Sequence, residues 1–254
     1  MVKEYLRPGF RSVTAGLSVN GSKALVDFMV RAFEARPGEV MQEADGTIQH
    51  GEICIGDSLL EISEARPAWP AKPCSLHLYV SDTDAVYSRA LAAGATSLTA
   101  PANAPYGDRA AGVQDPAGNH WFIATRLEGP AIPDGFHSIT PYVITRGADD
   151  VMAFARAAFD ATERLRVPAE AGGVMHAELQ LDDSVIEFSD GSDKWPPRPC
   201  CLHVYVSDAD AAYKKALAAG AKSLYEPMLQ PYGDSECGVT DSGGNQWFIA
   251  TYRG

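Results

Sequence analysis

The residues able to do chemistry come in pairs. Glu61 sits in the apolar run Ser58-Leu59-Leu60-Glu61-Ile62-Ser63, and Glu187 in Ser184-Val185-Ile186-Glu187-Phe188-Ser189. A carboxylate inside an apolar strand is costly unless it faces water, a partner or a ligand. Each glutamate is therefore a candidate base or metal ligand, with a merely solvated residue at a pocket mouth as the plainer reading. His77 and His203 lie in Leu76-His77-Leu78-Tyr79 and Leu202-His203-Val204-Tyr205. An imidazole in such a strand serves as base or ligand, or more plainly as a pocket wall hydrogen-bonded to a neighbour. His50-x-Glu52 and His176-x-Glu178 each place an imidazole and a carboxylate on one strand face, and a rim pair suffices to explain them. Tyr79, Tyr205, Phe122 and Phe248 are candidates for stacking on a planar ligand.

All these pairs lie 126 residues apart. So do Trp69 and Trp195, Tyr106-Gly107-Asp108 and Tyr232-Gly233-Asp234, and the runs that begin at Trp121 and Trp247. No insertion breaks the register from Phe10/Phe136 onward. The chain is thus two copies of one unit, with domains expected over 10–126 and 136–252 and a linker over 127–135 rich in Gly and Pro.

Within the first copy, Ser12 to Val19 reads as a strand. Ser22 to Ala35 reads as a helix with Leu25, Phe28, Met29, Ala32 and Phe33 at helical spacing, Ser22 as its N-cap and Pro37-Gly38 as its stop. Three short strands follow, turning at Asp45-Gly46 and Gly56-Asp57. After a Pro-rich stretch, 65–73, the same order returns: a strand over Ser75 to Val80, a helix capped by Asp82 or Asp84 and ended by Gly94, then three strands. Alternation sends Trp121 and Phe122 to opposite faces, with Trp121 under the helices. Gly107 and Gly233 suit a backbone with positive φ. Each copy is therefore two βαβββ modules. The class is α+β, with four modules forming two curved mixed sheets whose open face is a natural place for a small molecule.

Composition narrows the function. A formal net charge of -12 argues against nucleic acid and anionic membrane surfaces as partners. Five cysteines without a CxxC spacing indicate neither a disulfide framework nor a zinc knuckle. The first residues lack an apolar signal core, and no run reaches about 18 apolar residues, so a cytoplasmic location is expected. Motifs for dinucleotides, P-loops, α/β-hydrolases and zincins are absent.

The strand Leu76-His77-Leu78-Tyr79-Val80 followed by Asp82-x-Asp84-Ala85, the helix end Ala90-Leu91-Ala92-Ala93-Gly94-Ala95, and Tyr106-Gly107-Asp108 with Asp115-Pro116-x-Gly118-Asn119-x-Trp121 carry a resemblance. Once per half, the chain resembles the vicinal-oxygen-chelate superfamily, and within it the glyoxalase/bleomycin-resistance group and its PhnB-like branch. The resemblance implies the curved-sheet fold and a divalent metal in the trough, held from the first and fourth strands of one module and of its partner. The implied ligand positions fall at Thr14 and Thr140, Glu61 and Glu187, Ser75 and Cys201, and Phe122 and Phe248. Only the glutamates are strong donors, and a metal needs about three or four. The inherited metal site is therefore expected to be degraded. No cofactor is fixed by the sequence. A divalent metal, if bound, would take Glu61 and Glu187.

Two functions follow as expectations. The first is a non-catalytic protein that binds a small molecule, planar or cationic, between aromatics in an acidic pocket. The alternative is a glyoxalase-type lyase or isomerase using Glu61 or Glu187, with dioxygenase chemistry behind both. The single chain is expected either to mimic a dimer of one-domain relatives or to form a homodimer. Both pairings of modules, within a half and across the halves, are open at this stage.

Overall fold

The computed structural model describes residues 3–170 and 172–254. The first copy supplies β1 (Val13–Val19), α1 (Ser22–Phe33), β2 (Arg36–Gln42), β3 (Ile48–Ile55), β4 (Ser58–Glu64), β5 (Ser75–Tyr79), α2 (Thr83–Ala92), β6 (Thr96–Asn103), β7 (Asp108–Gln114) and β8 (His120–Arg126). The second repeats that order: β9 (Ile139–Thr145), α3 (Ala148–Phe159), β10 (Thr162–Pro168), β11 (Val174–Leu181), β12 (Ser184–Asp190), β13 (Cys201–Tyr205), α4 (Ala209–Ala218), β14 (Lys222–Leu229), β15 (Asp234–Thr240) and β16 (Gln246–Tyr252).

The strands form two eight-stranded mixed sheets, ordered β14-β15-β16-β13-β1-β4-β3-β2 and β10-β11-β12-β9-β5-β8-β7-β6. The module that opens the chain thus shares a sheet with the one that closes it, which settles the pairing that the repeat left open. The chain also divides into two compact units. One comprises Met1–Ala15 with Tyr142–Gly254, the other Gly16–Pro141.

Each unit builds its core in the same way. In the Gly16–Pro141 unit, Phe28 and Met29 of α1 and Trp121 of β8 are fully buried, and Phe33 lies 4.6 Å from the Trp121 ring. In the other, Trp247 of β16 is buried against Phe154 and Phe159 of α3. Each indole N–H donates to a buried carboxylate, Trp121 to Asp115 and Trp247 to Asp241, both at 2.9 Å. Burial pushes both carboxyls above their ordinary value, against the hydrogen bonds they accept. Asn119 and Asn245 extend the network by accepting the backbone N–H of Cys74 and Cys200. The turns before β8 and β16 therefore lock the entry of β5 and β13.

Two local expectations are corrected. Ser22 is the first helical residue and not the cap. Gly21, left-handed at φ 79°, holds the cap position, and Glu64 of β4 accepts the N–H groups of Gly21 and Ser22. Pro37-Gly38 does not stop α1. Glu34 ends it in a left-handed conformation, and Pro37 lies in β2, an outermost strand where a missing N–H costs no ladder bond. Asp82 and its repeat Asp208 are the caps of α2 and α4, accepting from Ala85 and Ala211. Gly107 and Gly233 take φ of 97° and 99°.

Candidate functional site

Burial of Trp247 against α3 fixes the other face of β13–β16 as free of helices, because alternate residues point oppositely. That face carries His203 and Tyr205 on β13, Phe248 and Ala250 on β16, and Asp234, Glu236 and Gly238 on β15. The register aligns His203 with Phe248 and Gly238, and Tyr205 with Ala250 and Glu236. Ala250 presents only a methyl group between β13 and β15. The longer side chains on either side meet above it.

They meet as a buried polar cluster. His203, Asp234 and Glu236 are 4%, 0% and 7% exposed, and their ligand atoms all lie within 4.8 Å of one another. Nε2 of His203 is 3.5 Å from Oε2 of Glu236. Tyr205 donates to Asp234 Oδ2 at 2.7 Å, and Tyr225 of β14 donates to Glu236 Oε1 at 2.6 Å. Burial, and then the charge of Glu236, push the Tyr225 hydroxyl far above its ordinary value. The His203 ring stacks on Tyr205 at 4.7 Å and meets Phe10 edge-on at 6.0 Å. Tyr225 reaches across β15 because position 238 is glycine: a Cβ there would stand 2.6 Å from its ring. The same ring lies 6.4 Å from Phe248, nearly parallel to it.

The Gly16–Pro141 unit carries a simpler version. His77 stacks on Tyr79 at 4.4 Å, and Tyr79 meets Phe136 edge-on at 5.7 Å. Phe122, half-buried, has His120 at its edge at 6.4 Å. The register that brings Glu236 opposite Ala250 brings Ala110 opposite Ala124, so no carboxylate joins His77 there from that position.

The predicted glutamates lie on β4 and β12. Glu61, half-buried on β4, pairs across the ladder with Glu52, and Glu187, buried on β12, pairs with Glu178. Like charges opposite each other oppose folding. In the second copy His176 and Arg164 approach Glu178 at 3.5 and 3.8 Å, and Tyr142 lies 3.4 Å from His176 Nδ1. His50 is half-buried on β3, paired with Met41. Cys201 is buried, its thiol donating to Gln246 at 3.3 Å. Sequence reasoning missed Asp234 and Glu236 as site residues. A hollow of about 350 Å³ lies elsewhere, lined by Arg146, Gly191, Ser192, Asp193, Pro196 and Pro197. None of the residues flagged from the sequence lines it.

The family-implied metal can be weighed against these donors. Thr14, Thr140, Phe122 and Phe248 do not fit as ligands. With the glutamates as its only strong donors, the set at the inherited positions does not fit the ion as the resemblance implies. Among the described residues, His203, Asp234 and Glu236 form a group that could hold one.

Comparison with known proteins agrees with the geometry. The family model of the Glyoxalase/Bleomycin resistance protein/Dioxygenase superfamily matches twice, over residues 11–123 and 135–249. An uncharacterized protein of Mycobacterium bovis is 33% identical over 118 residues, covering 42% of this chain and 78% of that protein. A Mycobacterium tuberculosis protein is also 33% identical over 118 residues, 69% of its length. Glyoxalase I from Zea mays shares the fold, with a TM-score of 0.68 over 94% of this chain and 92% of that one at 14% identity. The chain belongs to the glyoxalase/bleomycin resistance protein/dioxygenase superfamily, as two tandem copies of its family unit.

Proposed function

We propose that this chain binds a small planar molecule, preferably cationic, on the helix-free sheet faces and does so without turnover. The observation that carries the reading is the state of Phe122 and Phe248. Both stand at positions where the superfamily resemblance implies a metal ligand, and both rings remain half-exposed on faces free of helices. A partly exposed aromatic ring next to stacked His–Tyr pairs is suited to stacking on a flat ligand. The paired carboxylates Glu52/Glu61 and Glu178/Glu187 add negative charge to β3–β4 and β11–β12. The PhnB-like affinity and a cytoplasmic setting belong to this same reading. Among the described residues, no helix is long and apolar enough to cross a membrane.

A second reading, a glyoxalase-type lyase or isomerase, draws on Glu187, which is 3% exposed and faces another carboxylate. One experiment separates the two. The protein is melted with and without planar cationic dyes, and thiol-dependent loss of methylglyoxal is followed in parallel. Stabilisation by dye without turnover supports binding, since a ligand of the native state raises its stability. Turnover that disappears in Glu61→Gln/Glu187→Gln supports the lyase.

A further inference from the structure

We propose that His203, Asp234 and Glu236 bind one divalent first-row transition-metal ion, and that this site exists in the second copy alone. The site shares the His203–Tyr205 pair with the face proposed above for the organic ligand, but it does not rest on that reading.

Three observations converge on it. The first is geometric. Nε2 of His203 and Oε2 of Glu236 are 3.5 Å apart. That is long for a charge-assisted hydrogen bond. It fits two donors on one ion, since ligands about 2.1 Å from a tetrahedral metal stand about 3.4 Å from each other. The second is an orphaned atom. Asp234 is 0% exposed, and its Oδ1 has no hydrogen-bond partner among the described residues, while Oδ2 takes the Tyr205 hydroxyl. A buried carboxylate oxygen without a donor is costly, and a cation removes that cost. The third is charge. Two buried carboxylates lie within 4.8 Å of each other, and among the described residues neither makes an ion pair with Lys or Arg.

One imidazole and two carboxylates form a borderline donor set that suits Zn²⁺ or Mn²⁺. Tyr225 and Tyr205 act as the outer shell, each fixing one carboxylate by donating to the oxygen turned away from the ion. The sequence makes the site one-sided. Glu236 and Tyr225 correspond to Ala110 and Thr99 in the first copy, so the His77 region lacks both the third donor and its support. None of Asp234, Glu236 and Tyr225 stands at a position where the superfamily resemblance places a ligand.

The test is ion content of the full chain, incubated with Zn²⁺, desalted and analysed for metal. Wild type is expected to keep about one equivalent. Glu236→Gln should lose it, and Glu61→Gln/Glu187→Gln should keep it. Wild type without bound zinc, or equal zinc in Glu236→Gln, would overturn the proposal. Loss confined to the Glu61/Glu187 variant would also overturn it. Circular dichroism checks that Glu236→Gln folds. If it does not, pulsed EPR of the Mn²⁺-loaded wild type decides: coupling to one imidazole nitrogen supports the site, and no nitrogen coupling refutes it.

Discussion

Tyr205 donates its phenolic hydrogen to Asp234 Oδ2 at 2.7 Å, and both side chains are buried. This bond is the one neutral donor the Asp234 carboxylate receives from a side chain among the described residues. In the metal-free protein, Tyr205→Phe should therefore cost more than an average hydrogen bond, about 2–3 kcal/mol, because a buried carboxyl group loses its side-chain donor. Urea unfolding measures it. A loss under about 0.5 kcal/mol would contradict a structural role for this bond.

The Trp–Asp pairs make a parallel prediction about the cores. Trp121→Phe conserves most of the ring volume but withdraws the N–H from Asp115, whose carboxyl is already raised by burial. The expected cost is about 2–4 kcal/mol from the unmet acceptor and the lost indole area. Trp247→Phe should behave alike through Asp241. Thermal or urea denaturation of the two single variants checks both.

Acid should reveal Asp57. Burial pushes its carboxyl up, but the Ser138 N–H and the His137 ring outweigh that and hold it at about 2. The ordinary value is 3.8, so the native state favours the charged form. Its contribution is complete above 3.8 and is lost as pH falls through about 2. Because the side chain is 43% exposed, the effect is discounted to about 1 kcal/mol. Asp57→Asn should be less stable than wild type by about that amount at pH 7, and the gap should narrow below pH 4. A gap that is constant with pH would contradict the assignment.

Much of this was legible in the sequence, and the rest was hidden for physical reasons. The repeat exposed the modules, and period-two alternation separated buried Trp121 from half-exposed Phe122. Asp82, one of the two candidates with Asp84, was readable because a cap acts three residues away. The cap of α1 was not, because Glu64 lies more than forty residues downstream of Gly21. Module pairing was hidden for a different reason. The bond from Tyr205 N to Ser12 O and the bond from Tyr79 N to Ser138 O are repeat equivalents, so the 126-residue offset is the same for either pairing. Glu236 escaped notice because its counterpart is Ala110, and attention to repeated residues passes over a residue that appears once. The signal that could have found it is that asymmetry itself: a lone Glu in the apolar-leaning run Asp234-Ser235-Glu236-Cys237-Gly238-Val239.

Thiol reactivity should sort the five cysteines by burial. All are free; Cys54 is half-buried and the other four are buried. The Cys237 thiol is pushed up to about 12 by burial and by the neighbouring Glu236 charge, and only a thiolate reacts readily. A native-state titration with an aromatic disulfide at pH 8 should modify Cys54 first, with Cys237 reacting only on unfolding. Mass spectrometry of the labelled peptides checks the order, and early labelling of Cys237 would contradict its burial.

The most direct measurement is calorimetric titration of a planar cationic dye such as proflavine into wild type and into Phe122→Ala/Phe248→Ala. Because both rings are half-exposed, the double variant should fold, and removing them should weaken binding at least about tenfold, the loss of about 1.4 kcal/mol. Saturable binding to wild type with that loss is the expected result. Equal affinity in the two proteins, or no binding to wild type together with turnover of methylglyoxal, would contradict aromatic capture on the helix-free faces.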